Sequence, residues 1–293
     1  MNSVPKSKLL ALVAGMLALA LAAAGLVIVL ADMATTSTAP GNEAQQQASP
    51  PARASGKGAP VPGKSLATAN PLYRTGRLAD VNCAPGALPA GSMSAYRRFL
   101  IRVTTCLNKA WGAQFRKAGM PFSKPRLRII TRKVKTPCGS WNAGADAVYC
   151  STDRTMYLMI SKDQVRNPFP LGITRLVAHE YGHHIQQISG IWDYYWLVRS
   201  MAGKARRLQL SRNSELQAEC FSAVFMSTMR GTELVTEEDW AYTVDWFKKN
   251  GAKGWPQNDH GRGPTQAAWM KRGFNRGTPG ACNTWSVSPR KTL

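Results

Sequence analysis

Hydrophobic residues first cluster in an uninterrupted apolar run from Leu9 to Leu30, which contains no charged residue. As a helix that rises about 1.5 Å per residue, this run can cross a bilayer core of roughly 30 Å. Because Lys6 and Lys8 precede the run, the positive-inside rule places the N-terminus in the cytoplasm. We predict a cytoplasmic tip and a transmembrane anchor within residues 1–31, so that a single-pass protein of the cell membrane exposes its C-terminal domain on the extracytoplasmic side. A cleaved signal peptide, followed by secretion, is the alternative.

The segment that follows the apolar run has a different composition. Residues 32–75 are rich in Ala, Pro, Gly, Ser, Thr and Gln and contain few aliphatic or aromatic side chains. Such a segment cannot bury enough apolar surface to offset the entropy that ordering costs. We therefore predict a disordered tether over 32–75 and one folded domain over 76–293, which is long enough to bury a core.

The folded domain shows two kinds of hydrophobic periodicity. Three- and four-residue spacing, clearest for Phe99, Val103, Leu107 and Trp111, predicts amphipathic helices. These helices cover 95–119, 171–190, 192–210, 214–231, 236–251 and 265–274. Alternating, β-branched sequence predicts strands over 126–134 and 155–161, with a loop over 136–153 between them. A small sheet followed by a helical body is an α+β fold.

The chain carries a large positive charge. Its formal net charge is +22, from 38 Lys and Arg against 16 Asp and Glu. A strongly basic surface attracts polyanions. For a domain outside the membrane, we expect anionic envelope polymers or lipid head groups as partners and no nucleic acid. A solvated basic surface with no specific partner is the alternative.

Cysteine usage agrees with export. The six cysteines all follow the apolar run, at Cys83, Cys106, Cys138, Cys150, Cys220 and Cys282. An even number in an exported chain predicts disulfides, although spacing alone does not select the pairing. Buried free thiols are the alternative.

The segment HEYGHH, His179 to His184, carries the strongest chemical signal in the sequence. His179 and His183 are four residues apart, so a helix places both imidazoles on one face, where they can meet one metal ion. Glu180 lies beside the first of them and can act as the general base for an attacking water. This is the H-E-x-x-H arrangement of zinc hydrolases, which lie on a zincin-like fold. His184 points about 100° away around the helix, which makes it a poor ligand for the same ion.

A catalytic zinc site needs a third protein ligand. The extended motif with Gly and His after the second histidine is excluded, because those positions hold Gln186 and Ser189. Glu215 and Glu219 lie four apart on the next long predicted helix, so they share a face and can supply one metal ligand and one acceptor that orients an imidazole. An exposed acidic pair is the alternative. Cys220 lies about 140° around the helix from Glu215, so a disulfide suits it better.

His260 lies in the glycine-rich stretch before the last predicted helix. Hydrolysis through a tetrahedral oxyanion benefits from a hydrogen-bond donor aimed at that oxygen. We name His260 as the candidate donor. A histidine in a surface loop is the alternative.

Taken together, these residues resemble the neutral zinc metallopeptidase family of bacteria. The likeness is carried by VAHEYGHHIQ (177–186), ELQAECFSAV (215–224), the HG pair at 260–261 and GTPGACNTW (277–285). It implies a single zinc ion held by His179, His183 and Glu215, with Glu180 as base, and a membrane-anchored enzyme. It also implies disulfides Cys138–Cys150, Cys220–Cys282 and Cys83–Cys106. Glu219 departs from the family, whose members more often have Asp there.

The sequence therefore predicts an extracytoplasmic zinc metallopeptidase whose substrates are peptides or proteins. A second hypothesis is a catalytically inactive module of the same fold that binds anionic envelope polymer or lipid, motivated by the charge and by Glu219. A zinc hydrolase that acts on a non-peptide amide uses the same residues and is the third.

Overall fold

The described chain forms an α+β fold, as the periodicity predicts, with a small sheet packed against a larger helical body. The computed structural model describes residues 63–141 and 145–293. The helices are α1 (Ser65–Thr68), α2 (Met93–Lys117), α3 (Lys162–Arg166), α4 (Pro170–Ile188), α5 (Ile191–Met201), α6 (Lys204–Met226), α7 (Glu237–Asn250) and α8 (Gly263–Arg276). The strands are β1 (Arg126–Ile130), β2 (Lys135–Thr136), β3 (Gly139–Ser140), β4 (Ala147–Cys150) and β5 (Thr155–Met159). Single 3-10 turns lie at Pro71–Arg74, Ser227–Met229, Pro279–Cys282 and Pro289–Thr292.

Polar side chains cap the starts of α2, α3 and α7, at Ser92, Ser161 and Thr236. The Ser92 side chain accepts a hydrogen bond from the backbone N–H of Ala95 at the start of α2. The Thr236 side chain accepts one from Asp239 at the start of α7, as its position predicts. Such caps satisfy backbone N–H groups that have no partner within the helix, and each typically contributes about 1 kcal/mol.

The sheet contains a strand that the sequence did not predict. Its order is β1-β5-β4, with β1 parallel and β4 antiparallel to β5. The predicted loop over 136–153 is wrong in part, because it includes β4 and the β2–β3 hairpin. The four residues of β4 are too few for a periodicity to be recognised. They form a strand because they pair with β5 and because Tyr149 packs into the core against α4.

The helix boundaries around residue 210 also differ from the prediction. The chain breaks at Ala202 and Gly203, which are extended, and α6 then runs without interruption through the predicted gap at 211–213. Asn213, which follows Arg212, has low helix propensity. The helix continues through them because both side chains are buried by neighbouring elements, as is Ser214.

Helix α6 lies at the centre of the helical body, packed closely against α4 and α8. Gly182 of α4 faces Ala218 of α6, and a Cβ at Gly182 would lie 2.9 Å from the Ala218 Cα. Gly273 of α8 faces Cys220, whose carbonyl oxygen would lie 2.4 Å from an added Cβ. At both contacts only glycine permits this close approach of the two backbones. The contact at Gly182 sets the distance between α4, which carries the histidines, and α6, which carries Glu215 and Glu219.

Three disulfides stabilise the domain, and they join the pairs that the family resemblance implies: Cys83–Cys106, Cys138–Cys150 and Cys220–Cys282. The last one closes the longest loop, with a sequence separation of 62 residues between its cysteines. It fastens α6 to the turn at Pro279–Cys282.

The end of the predicted tether belongs to the folded domain, which corrects the boundary at residue 75. Leu72 is fully buried in the core, and Asn70 donates a hydrogen bond to the Ser189 carbonyl. One buried leucine and specific hydrogen bonds order a segment whose average composition is polar. The rest of the predicted tether lies in residues 32–62, outside the described residues.

No helix within residues 63–141 and 145–293 has the length and apolar character needed to cross a bilayer. The predicted anchor, Leu9–Leu30, lies outside the described residues.

Candidate metal centre

The two histidines of the H-E-x-x-H motif and Glu215 converge on one point between α4 and α6. Oε2 of Glu215 lies 3.3 Å from Nε2 of His179 and 3.2 Å from Nε2 of His183. One potential ligand atom from each of the three residues lies within 4.8 Å of the other two. The close packing at Gly182 makes this convergence possible, because Gly182 lies between the two histidines along α4.

These distances fit a tetrahedral zinc ion. Zinc binds imidazole nitrogen and carboxylate oxygen at about 2.0–2.1 Å, so neighbouring ligands of a tetrahedral ion lie about 3.3 Å apart. The two distances from Glu215 to the histidines have this value. The donor set of two imidazoles and one carboxylate is that of zinc hydrolases, and it leaves one coordination position open.

Glu219 and Arg175 hold the first histidine in place. Oε2 of Glu219 lies 3.1 Å from Nδ1 of His179, and the same oxygen accepts a hydrogen bond from Arg175. The Arg175 guanidinium also lies over the Phe247 ring, 4.4 Å from its centroid. With Nδ1–H donated to Glu219, Nε2 of His179 presents its lone pair to the metal position. The Glu219 side chain thus reaches the imidazole of His179.

Gln186 performs the corresponding task for the second histidine. Its Oε1 lies 2.9 Å from Nδ1 of His183, while its amide nitrogen donates to the Ser214 carbonyl at 2.8 Å and to Gln217 at 3.0 Å. These partners fix the orientation of the amide group, so the oxygen faces the imidazole. Trp192 packs beside the His183 ring, with centroids 5.4 Å apart.

Sequence reasoning missed both Arg175 and Gln186. The signal was present, because Arg175 lies four residues before His179 and Gln186 three residues after His183 on the same helix. Spacing alone does not distinguish such residues from surface side chains.

The charges of the site change one another's pKa values. Burial opposes the charged form of His179, but hydrogen bonds with Glu215 and Glu219 outweigh it and raise its pKa to about 10. Burial also opposes the charged form of Glu219, yet the charge of Arg175 and the contact with His179 lower its pKa to about 2. The neighbouring imidazoles likewise hold the pKa of Glu215 well below its usual range, against the effect of burial. Both carboxylates are therefore anionic at neutral pH, which favours a bound cation.

Glu180 and His184, the remaining candidate residues of HEYGHH, have different surroundings, as the helix geometry predicts. Glu180 is buried, and its charge helps to raise the pKa of both His179 and His183, so it lies near the metal position. His184 is fully buried on another face, where Nδ1 lies 3.0 Å from the Tyr149 hydroxyl and Nε2 lies 2.7 Å from the Ser123 carbonyl. Burial lowers its pKa to about 4, and its role is to join α4 to the sheet.

His260 reaches the site from the loop before α8. Its Nε2 lies 3.4 Å from Oε2 of Glu215, and its Nδ1 lies 2.8 Å from Oδ1 of Asp259. The ring stacks on Trp255, with centroids 3.5 Å apart and a 9° angle between the planes. The loop thus holds His260 through one hydrogen bond and one stacking contact, with Nε2 directed at the site.

Comparison with known protein families identifies the chain. Residues 88–285 match the family described as "Putative neutral zinc metallopeptidase", and this match covers more than half of the chain. The chain belongs to this family. The resemblance noted from the sequence is thereby confirmed, and membership of a zinc peptidase family agrees with the ligand set of two histidines and a glutamate.

Similar proteins are found in Escherichia coli and in Mycobacterium bovis. The chain is 29% identical over 206 residues to the uncharacterized protein YpfJ of Escherichia coli K12, and the match covers 65% of this chain and 72% of the relative. It is 25% identical over 193 residues to the uncharacterized protein Mb2605 of Mycobacterium bovis, covering 57% of this chain and 64% of the relative. A search of solved structures finds no match.

Proposed function

We propose that this protein is a zinc-dependent peptidase that hydrolyses peptide bonds with Glu180 as general base and one zinc ion held by His179, His183 and Glu215. One observation carries the proposal: Glu215 Oε2 lies at the tetrahedral ligand spacing from Nε2 of both histidines, with the buried Glu180 beside them. Family membership supports zinc as the metal and a peptide as the substrate class.

Zinc bound at these ligands would polarise the scissile carbonyl and make a water molecule more acidic. Glu180 would accept a proton from the attacking water and then deliver that proton to the leaving amine. His260 would donate a hydrogen bond from Nε2 to the oxyanion that develops on the carbonyl, while Asp259 holds its Nδ1. Glu219 and Gln186 would keep the two metal-binding imidazoles in orientation throughout.

Substitution of Glu180 by Gln tests the assignment of the base. The amide keeps the size of the side chain but cannot accept the proton, so peptide hydrolysis should fall by about 10²–10⁴-fold, the usual contribution of a general base. Zinc content, measured by atomic absorption, should stay at one ion per chain in both proteins. Hydrolysis at the wild-type rate would overturn the role of Glu180, and wild-type protein without zinc would overturn the metal centre.

We also propose that the domain acts outside the cytoplasm, in a protein anchored by Leu9–Leu30. Its three disulfides support an oxidising compartment. Protease added to intact spheroplasts should then degrade the domain. Protection of the domain until the cells are lysed would contradict this location.

A further inference from the structure

A second concave site lies at the N-terminal end of α6, the helix that carries Glu215. A cavity of about 410 Å³ is lined by Arg206 and Arg212 of α6 and by Arg290 of the C-terminal segment. Pro289 and Leu293 contribute apolar surface to its wall. Its volume falls within the usual range for small-ligand sites. We refer to the cavity bounded by these three arginines as the arginine pocket.

The arginine pocket is built before any ligand binds. The C-terminal segment that forms one wall is fastened to α8, because Trp269 Nε1 donates a hydrogen bond to the Lys291 carbonyl at 2.9 Å and Thr265 donates one to the Leu293 carbonyl. The opposite wall is the first two turns of α6. The two walls belong to separate elements, and each contributes arginine to the lining of one cavity.

Arg212 is the least expected member of the pocket. It is only 8% exposed, its Nη1 donates to the Asn258 carbonyl at 3.1 Å, and its buried Nε has no hydrogen-bond partner among the described residues. A buried cation is costly unless an anion or a hydrogen-bond acceptor compensates it. Asp259 acts on Arg212 electrostatically, but its Oδ1 hydrogen-bonds His260. The remaining donor capacity of Arg212 suits an oxyanion in the pocket.

The other two arginines are also available. Arg206 donates one hydrogen bond to Gln209, and in residues 63–141 and 145–293 neither Arg206 nor Arg290 forms an ion pair with a carboxylate. Guanidinium groups match the planar geometry of a carboxylate and form charge-assisted hydrogen bonds with it. Three of them around an open cavity form a site for one oxyanion, with the apolar wall available to the group that carries it.

The position of the pocket suggests where that oxyanion comes from. Arg212 lies one helical turn before Glu215, on an adjoining face of α6. It also bonds the loop that carries His260, through Asn258. A peptide at the metal centre that runs along the N-terminal half of α6 would reach the pocket.

We propose that the arginine pocket binds the carboxylate of an acidic residue in the peptide substrate and so selects acidic substrates. The proposal rests on the proposed peptidase function for its substrate. The oxyanion chemistry is shared with free phosphate, and the experiment below separates the two sources.

The test measures binding rather than turnover. The protein used is the zinc-loaded full chain that carries Glu180→Gln. It is titrated with pairs of fluorescent hexapeptide pools, and the two pools of a pair differ only by Glu or Gln at one position. Binding is followed by fluorescence anisotropy. At one position the Glu pool should bind at least about tenfold more tightly, as charge-assisted hydrogen bonds allow. Arg206→Gln combined with Arg290→Gln changes exposed residues and should abolish this preference. Arg98→Gln, an exposed arginine of α2 outside the pocket, should leave it intact.

Several results of the binding measurements would contradict the proposed role of the arginine pocket. Equal binding of the Glu and Gln pools at every position would overturn it, as would a preference that Arg98→Gln reduces as much as the double variant does. Inorganic phosphate that binds with the same arginine dependence, without any preference for Glu, would assign the pocket to a free anion. Failure of the wild-type protein to cleave any peptide would refute the peptidase function, while the binding preference would still be measurable.

Discussion

Nδ1 of His179 lies 3.1 Å from Oε2 of Glu219, and the same Glu219 oxygen accepts a hydrogen bond from Arg175. This chain of contacts determines which nitrogen of His179 faces Glu215. It also places the partly buried Arg175 guanidinium two hydrogen bonds from a metal-binding imidazole, with Glu219 between them. The relationship leads to predictions for zinc affinity and for stability.

Replacement of Glu219 by Ala should weaken zinc binding by about 10–100-fold, the usual effect of removing an acceptor that orients a metal-binding histidine. The imidazole loses the hydrogen bond that fixes its ring and raises its basicity. Zinc affinity can be measured by competition with a chromophoric chelator. Glu233→Ala, which removes an exposed acid, is the control and should bind zinc as the wild type does. Equal affinity of the Glu219→Ala protein would show that the contact does not orient His179.

Replacement of Arg175 by Met should destabilise the metal-free protein by about 1.5–3 kcal/mol, because the buried Glu219 carboxylate loses a charged hydrogen-bond donor and keeps only His179 as a partner. Urea unfolding in the presence of a chelator measures this change. The double variant Arg175→Met with Glu219→Met should lose less stability than the sum of the two single variants, since it removes both charges. Strictly additive losses would mean that the two side chains are not coupled.

Gly182→Ala should both destabilise the fold and weaken zinc binding. Its Cβ would lie 2.9 Å from the Ala218 Cα, so α6 must move away from α4 and carry Glu215 away from the histidines. Overpacking of this kind typically costs about 1–3 kcal/mol. Thermal unfolding and zinc titration measure the two effects. Gly203→Ala is the matched control, because an added Cβ there meets no atom within 4 Å. Wild-type zinc affinity in Gly182→Ala would disprove the link between the packing and the site.

Removal of zinc should lower the thermal unfolding midpoint. A ligand that binds only the folded state at about one hundred times its Kd stabilises it by about 2.7 kcal/mol. Unfolding followed by circular dichroism, with and without EDTA, measures the shift. In His183→Ala, which lacks a ligand, EDTA should change the midpoint much less. An equal shift in both proteins would assign the stabilising metal to another site.

Much of the site was predictable because helix geometry is local. The four-residue spacing of His179 and His183, and that of Glu215 and Glu219, places each pair on one face of its helix whatever the rest of the fold does. The same reasoning correctly predicts that His184 points away from the metal position. The α+β class and the helix over 236–251 also follow from periodicity.

Other features depend on contacts between segments that are far apart in the sequence. Strand β4 forms because β5 pairs with it, and α6 continues through Arg212 and Asn213 because neighbouring elements bury them. Local helix or strand propensity predicts neither effect. The ordered segment around Leu72 has the same cause, since it is held by contacts with the distant core.

The sequence alone determined which groups could bind zinc, because ligand chemistry and helical spacing are properties of short segments. Packing decided how those groups are used. The approach of α4 to α6 at Gly182 brings Glu215 rather than Glu219 within 3.2–3.3 Å of both Nε2 atoms. Glu219 instead contacts Nδ1 of His179, and Arg175 forms an ion pair with Glu219. These distances depend on the burial of whole helix faces, which no short segment encodes.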